Sequence, residues 1–210
     1  MNFQTIKSSY NTIISLGAFC QIAYQLERKK LKNFSGPIDW MLSPSLSNVN
    51  RLLEYKFKDF MAYHNLTVDG PANIDTYIVK DNLYNIESYH DFAITADGKD
   101  PLHNYSLFKS KLDIRTNNFF EKCASCDSLL FIRMEALPYE VIKLNAILKG
   151  IVKKDYMILV INFSPDQKVT KPNWGIPNVC NAEIPNTLST RWQGCDSSWD
   201  HILAGISLQD

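Results

Sequence analysis

The sequence predicts an α/β fold: a mostly parallel sheet flanked by helices, with an added β-hairpin and an irregular, Trp-rich C-terminal segment. Three patterns indicate it. A strand–helix–strand unit runs through Leu129–Arg133, Pro138–Lys149 and Tyr156–Phe163, and this order is typical of parallel strands joined by a crossover helix. A short apolar strand that ends at Gly17 precedes a helix in the same way. Two strands joined by a polar turn within residues 74–94 predict the hairpin.

The N-terminal elements follow from apolar spacing and turn residues. Thr12–Leu16 is an apolar, β-branched run that predicts a buried strand, and Gly17 ends it. A helix is expected over residues 19–31, because its apolar residues recur at i, i+3, i+4 and i+7. Residues 36–37 are Gly-Pro and predict a turn, and a second helix is expected over residues 47–55.

The hairpin is predicted from two strands, residues 74–79 and 83–94, with Lys80-Asp81-Asn82 as the turn between them. Successive side chains of a strand point to opposite faces. His90 therefore falls on the more apolar face of the second strand, and Asp91 falls on the other, unless a bulge intervenes.

The C-terminal third is predicted less regularly. A helix is expected over residues 105–120, ahead of the strand–helix–strand unit. Four prolines and three tryptophans interrupt residues 164–210, and prolines disfavour continuous strands and helices. We therefore expect irregular structure packed by aromatic side chains, closing with a short helix over residues 198–204.

Composition and charge limit the classes of partner. The chain has 210 residues, enough for a sizeable core, and we expect one domain over 1–210. Lys plus Arg and Asp plus Glu both number 22, so no net charge attracts nucleic acid or an anionic membrane. No apolar stretch approaches the ~18 residues of a membrane span, and the start does not resemble an export signal. We expect a cytoplasmic protein with reduced cysteines that binds neither nucleic acid nor membrane.

Cys20 is the first candidate for chemistry, because it falls on the first turn of a helix that follows a strand and Gly17. Free amide N–H groups and the helix dipole at such a position stabilise a thiolate. The same N–H groups are suited to hold an oxyanion. The alternative is a buried structural cysteine that packs as a small apolar side chain.

His90 is the candidate base, since a cysteine nucleophile needs a base within hydrogen-bond reach and His90 alone of four histidines lies on a clearly predicted strand. A histidine with only a surface role is the alternative. Asp39, in a rigid turn beside Trp40, is the preferred residue to orient the imidazole. Asp91 is the less favoured choice, because strand alternation turns it away from His90.

Other motifs give weaker indications of a functional site. Cys123 and Cys126 are spaced as a C-x-x-C pair, but they follow a helix and precede a strand, which is the reverse of a thioredoxin-like site. No second close pair or finger-spaced histidine predicts zinc, and no Gly-rich phosphate loop occurs. We therefore expect neither a metal nor a cofactor.

Several short motifs occur together in one order. They are Ser15-Leu16-Gly17 with Cys20, Gly36-Pro37-Ile38-Asp39-Trp40, His90-Asp91-Phe92, Phe131-Ile132-Arg133, and the tryptophans Trp192 and Trp199. In this order they resemble an uncharacterised, largely bacterial family described as papain-like cysteine peptidases on the basis of sequence. One departure is Ile38, where the family usually has Phe. The resemblance implies a nucleophile at Cys20 and a base at His90.

The resemblance leaves the topology open. In papain-like folds the cysteine helix packs against an antiparallel sheet or barrel. A strand directly before the cysteine helix is more typical of parallel-sheet hydrolases, whose nucleophile follows a strand. Either arrangement presents a thiol at the start of a helix.

We therefore predict a cysteine-dependent hydrolase or acyltransferase that acts on an amide or thioester. Arg133, at the end of a strand, and Trp40 are the candidate substrate-binding residues. The substrate class, whether a peptide, a glycan or a small molecule, stays open. Two alternatives also stay open: a noncatalytic carbohydrate-related protein, suggested by the 12% aromatic content, and an interaction module with inert thiols.

Overall fold

The chain is an α/β protein, as the sequence predicts, and the computed structural model describes residues 3–166 and 168–209. The strands are β1 (Ser9–Tyr10), β2 (Thr12–Ser15), β3 (Met41–Leu42), β4 (Leu66–Pro71), β5 (Thr76–Asp81), β6 (Ile86–Ala93), β7 (Ser128–Met134), β8 (Asp155–Ser164), β9 (Val179–Pro185) and β10 (Ser207–Leu208). The helices are α1 (Gln21–Arg28), α2 (Leu46–Glu54), α3 (Tyr105–Ser125), α4 (Pro138–Ile151) and α5 (Asp196–Leu203), with 3-10 turns at Phe3–Ile6 and Tyr63–Asn65. In the described part of the chain, no helix is long and apolar enough to cross a bilayer.

A parallel sheet with strand order β2-β7-β8-β9 forms the centre of the fold. Its strands are buried on both faces, so the side chains of adjacent residues pack into two different apolar clusters. Ile14 and Phe131 point to a cluster shared with α2, α3 and α4. Ile13 and Ile132 point to the opposite cluster, which α1 and α5 cover. This double burial explains why the strands are nearly continuous apolar runs.

The strand–helix–strand prediction is confirmed as β7, α4 and β8, and β2 followed by α1 is confirmed as well. The prediction of an irregular C-terminal segment is wrong over β9, which pairs in parallel with β8. The strand was not predicted because Pro177 and Pro185 disfavour a strand in this part of the sequence. The sheet tolerates Pro185 because β9 is an edge strand and Pro185 is its last residue. A pair of two-residue strands, β1 and β10, joins the two ends of the described chain.

The predicted hairpin is β5 and β6, within an antiparallel sheet of order β3-β6-β5-β4. Residues 88–92 of β6 lie opposite only residues 77–79 of β5, because the pairing runs from Val79↔Ser88 to Tyr77↔Phe92. This bulge interrupts the alternation of side chains along β6, from which the orientation of His90 was predicted. Ile86 and Phe92 are buried, whereas His90 is exposed.

Candidate active site

The turn that precedes Cys20 holds two residues at positive φ. Gly17 has φ 75° and Ala18, which is fully buried, has φ 90°. A side chain disfavours that region of backbone space, so Ala18 is strained and needs support from its surroundings. Ser43 supplies it: its Oγ accepts the N–H of Ala18 at 3.0 Å, and its own N–H donates to the Ala18 carbonyl at 3.0 Å.

Arg133 supports the same turn from inside the protein. Its Nη1 donates to the Leu16 carbonyl at 2.9 Å and to Ser43 Oγ at 3.2 Å, and its Nη2 donates to the Ser43 carbonyl at 2.8 Å. The side chain is 0% exposed, and burial lowers the pKa of Arg133 to about 9 against the opposing effect of nearby Glu140 and Glu135. The structure therefore places Arg133 behind the turn, as a clamp on two chain segments, and not on a surface that a substrate reaches.

Cys20 is the N-cap residue of α1 and is partly exposed. Burial raises the pKa of Cys20 to about 11, its own backbone N–H acts to lower the pKa, and the nearby carboxylate of Asp91 acts to raise it. The helix start was expected to lower this pKa, but desolvation exceeds that effect. The resting group at pH 7 is therefore a neutral thiol.

His90 lies beside Cys20, on the bulged part of β6. Its Nε2 is 3.7 Å from Cys20 Sγ, which is hydrogen-bonding range for sulfur. The edge of the Trp40 ring meets the imidazole, with ring centroids 6.0 Å apart and planes at 87°. Within residues 3–166 and 168–209, no hydrogen bond reaches the other ring nitrogen, Nδ1. The structure thus brings together the predicted nucleophile, the predicted base and Trp40.

Asp39 is placed elsewhere. Its Oδ2 accepts the Gly36 N–H at 2.8 Å and lies 3.2 Å from Lys32 Nζ. Burial raises the pKa of Asp39, while Lys32 and the Gly36 N–H lower it. Lys32 also lies over the Trp40 ring, 5.4 Å from its centroid. Asp39 therefore fixes the turn that carries Trp40, and its carboxylate is bonded to Gly36 and Lys32 and not to His90.

Asp91, the less favoured candidate, is closer to Cys20 and His90. Its charge acts on the Cys20 thiol, yet its Oδ2 accepts a hydrogen bond from Ser88 Oγ at 2.6 Å. Across the described residues, no carboxylate is hydrogen-bonded to the imidazole. In the described part of the chain, the arrangement is therefore a Cys–His pair to which no carboxylate is bonded.

A cleft of about 240 Å³ opens beside this pair. Its lining consists of Phe19, Cys20, Leu42, Ala72, Asn73, Tyr89, His90, Leu188 and Trp192. Sequence reasoning did not assign most of these residues to a site. Trp192 carried a signal as part of the Trp-rich tail, whereas Leu42, Ala72 and Leu188 are ordinary apolar residues that only the tertiary structure brings to Cys20.

The remaining cysteines are not part of the site lining. Cys123 is a buried free thiol and Cys126 is a partly exposed one. Burial raises the pKa of Cys123 to about 12, which disfavours its thiolate. Where the structure describes the chain, no cluster of three or more His, Cys, Asp or Glu side chains is arranged to hold a metal ion.

Fold and site together define an α/β protein that carries a Cys–His pair between the carboxyl end of a parallel strand and an antiparallel sheet. A model of the family described as "Putative papain-like cysteine peptidase (DUF1796)" matches residues 11–166, and the chain belongs to this family. The matched region contains Cys20 and His90 but ends before Leu188 and Trp192.

One curated relative is an uncharacterised protein of Acanthamoeba polyphaga mimivirus, 28% identical over 146 residues. The alignment covers 62% of this chain and 65% of the viral protein, so the match spans less than two thirds of that relative's length. No solved structure matches the chain.

Proposed function

We propose that the protein is a cysteine hydrolase or acyltransferase in which Cys20 attacks the carbonyl carbon of an amide or thioester. The observation that carries this proposal is the 3.7 Å separation of Cys20 Sγ from His90 Nε2 beside a cleft. A nucleophile and a base at this separation are the usual components of covalent catalysis, and such contacts are often loose before substrate binds.

The neutral state of Cys20 determines the order of proton transfer. As Sγ forms its bond to the carbonyl carbon, His90 Nε2 takes the thiol proton, and the carbonyl π electrons move to oxygen. When the tetrahedral intermediate collapses, the amine or thiol leaves with the proton from His90, and a thioester remains on Cys20. Water or another nucleophile then cleaves this thioester, with His90 again as base.

Backbone N–H groups at the start of α1 are suited to stabilise the oxyanion. The first bond into the helix is from the Tyr24 N–H to the Cys20 carbonyl, so the N–H groups before Tyr24 lack an i−4 acceptor within the helix. We assign the Cys20 and Gln21 N–H groups to this role, because preorganised donors cost no reorganisation during the reaction.

The test uses S-acyl thioesters and fluorogenic peptide amides as substrates. We expect Cys20→Ala to abolish turnover and acyl transfer to the protein, and His90→Ala to lower turnover by about 10²-fold or more. Cys195→Ala and His103→Ala are matched controls, since neither residue lines the cleft, and both should retain activity. Turnover that persists in Cys20→Ala, or no acyl adduct on the wild-type Cys20 peptide by mass spectrometry, contradicts the proposal.

A second candidate function is noncatalytic carbohydrate binding. The aromatic side chains of Phe19, Tyr89 and Trp192 at the cleft favour it, since sugar rings stack on such groups. A glycan array with wild type and Cys20→Ala distinguishes the two candidates. Glycan binding that survives Cys20→Ala, without acyl transfer in the wild type, favours this second function.

A further inference from the structure

One wall of the cleft is formed by Leu188 and Trp192, from the segment that follows β9. Trp192 is held by the helix that begins beside the thiol. Its carbonyl accepts a hydrogen bond from Gln21 Nε2 at 3.0 Å, and its ring meets Tyr24 edge-on with centroids 5.5 Å apart. The Trp192 side chain remains 44% exposed, so it is fixed in place but accessible to a ligand.

The backbone after Trp192 is equally fixed. Gln25 Nε2 donates to the Gln193 carbonyl at 2.7 Å and to Asp196 Oδ1 at 2.9 Å. Gly194 has φ 84°, and a Cβ there would lie 2.6 Å from the Gln21 amide, so the chain approaches α1 as closely as glycine allows. Trp192 and the backbone that follows it are therefore bonded directly to the helix that begins beside the nucleophile.

The lining offers little to hold a charged group. Among the described residues that line it, there is no Asp, Glu, Lys or Arg side chain. Two of its polar groups already have partners: Tyr89 OH donates to Glu87 Oε2 at 3.1 Å, and Asn73 Oδ1 accepts the N–H groups of Asp75 and Thr76 at 2.7 and 3.0 Å. A charged ligand would lose hydration there without gaining an Asp, Glu, Lys or Arg partner among the described lining residues, which is costly.

The volume of the cleft limits the size of the ligand. About 240 Å³ is below the range of roughly 300–1,000 Å³ that is typical of drug-sized ligands. From these observations we infer that the cleft is a specificity pocket for one apolar group, either a large apolar side chain or a short acyl chain, next to the carbonyl that Cys20 attacks. This inference rests on the proposed function, and it assigns Trp192 and Leu188 as the residues that select the substrate.

The test compares four alkylating probes: iodoacetamide, N-hexyl iodoacetamide, anionic iodoacetate and cationic N-(2-aminoethyl) iodoacetamide. In each reaction the Cys20 Sγ–C bond forms, the C–I bond breaks, iodide leaves and the thiol proton passes to His90 or solvent. Rates at Cys20 are measured by peptide mass spectrometry at pH 9 and divided by the rate of the same probe with N-acetylcysteine.

We expect the hexyl probe to react with Cys20 about tenfold faster than iodoacetamide after this correction, as burial of about two methylene groups predicts. The two charged probes should show no such gain. Trp192→Ala and Leu188→Ala should remove most of this advantage, measured as the ratio of the hexyl rate to the iodoacetamide rate within the same variant. Tyr139→Ala, which removes an exposed aromatic ring that does not line the cleft, should preserve it.

Equal corrected rates for all four probes overturn the pocket assignment and leave the proposed function intact. A preference for the hexyl probe that Trp192→Ala does not change likewise overturns the pocket assignment and leaves the proposed function intact. If native Cys20 reacts with none of the probes and reacts only after denaturation, the thiol is inaccessible, and both the pocket assignment and the proposed function are wrong.

Discussion

The hydroxyl of Ser43 accepts the backbone N–H of Ala18 at 3.0 Å, and a second hydrogen bond at 3.0 Å joins the backbones of the same two residues. Ala18 has φ 90° and lies two residues before the proposed nucleophile. Strained backbone persists only where neighbouring structure holds it, and such strain is concentrated at functional sites. Ser43 therefore fixes the direction in which the chain enters α1, and with it the position of Cys20 Sγ.

The first prediction concerns this contact. Ser43→Ala removes the acceptor of the Ala18 N–H and one acceptor of the Arg133 guanidinium. We expect the free energy of unfolding in urea to fall by about 1–3 kcal/mol, because buried donors lose their partner. Ser106→Ala is the control: Ser106 is exposed on α3, and its loss should change stability by less than about 0.5 kcal/mol. Equal stability of Ser43→Ala and wild type contradicts the support role.

The second prediction concerns Gly17, whose φ is 75° and whose added Cβ would lie 2.4 Å from Ser43 Oγ. Gly17→Ala should destabilise the fold both through this overlap and through backbone strain. In a Ser43→Ala background the overlapping atom is gone, so only the strain should remain. The loss in the double variant should therefore be smaller than the sum of the single losses, as measured by urea unfolding. Additive losses would show that Ser43 Oγ is not what excludes a side chain at Gly17.

The third prediction concerns pH. Burial raises the pKa of Cys20 to about 11, whereas hydrogen bonds from Ser197 and Ser198 lower the pKa of Cys195 to about 7. Since the thiolate is the reactive form, alkylation of Cys195 by iodoacetamide should level off soon after pH 7. Alkylation of Cys20 should still be rising at pH 10. Peptide mass spectrometry on the same sample measures both rates, and a plateau for Cys20 at or below pH 8 would indicate a preformed thiolate instead.

The same pKa has a consequence for stability. Because the folded-state pKa of Cys20 lies above its ordinary value of 9.0, ionisation is harder in the folded state than in the unfolded state. The stabilisation is present below the ordinary value and is lost as pH rises towards about 11. A Cys20→Ala variant should lose less stability than wild type over this interval, and parallel curves for the two proteins would contradict the shift.

The fourth prediction separates His90 from Asp39. His90→Asn removes the base 3.7 Å from Sγ and should lower turnover at neutral pH by about 10²-fold. Asp39→Asn should leave the pH profile of turnover unchanged, because Asp39 is bonded to Lys32 and Gly36. It should lower stability, since Lys32 loses one of the two carboxylate partners that it has among the described residues, Asp39 and Glu27. A shifted pH profile in Asp39→Asn would instead support a role in orienting the imidazole.

Local patterns in the sequence predicted much of the fold. The apolar runs and helix spacing predicted β2 with α1 and β7 with α4 and β8, since each element buries its own stripe of side chains. Cys20 and His90 were both singled out from local context and resemblance, and the structure places them together. β9 was missed because Pro177 precedes it and Pro185 is its last residue, and prolines disfavour strands. Pro185 is tolerated because β9 lies at the edge of the sheet.

By itself, the sequence determined the α/β class, the helix that starts at Cys20 and the strand that carries His90, because periodicity and turn residues act over short stretches of chain. Only the tertiary structure decided that Arg133 is enclosed, that Asp39 is bonded to Lys32, and that Trp192 stands beside the thiol. Desolvation, ion pairing and cleft shape depend on residues far apart in the chain, so no local pattern encodes them. For the same reason the helix start alone could not predict a neutral Cys20.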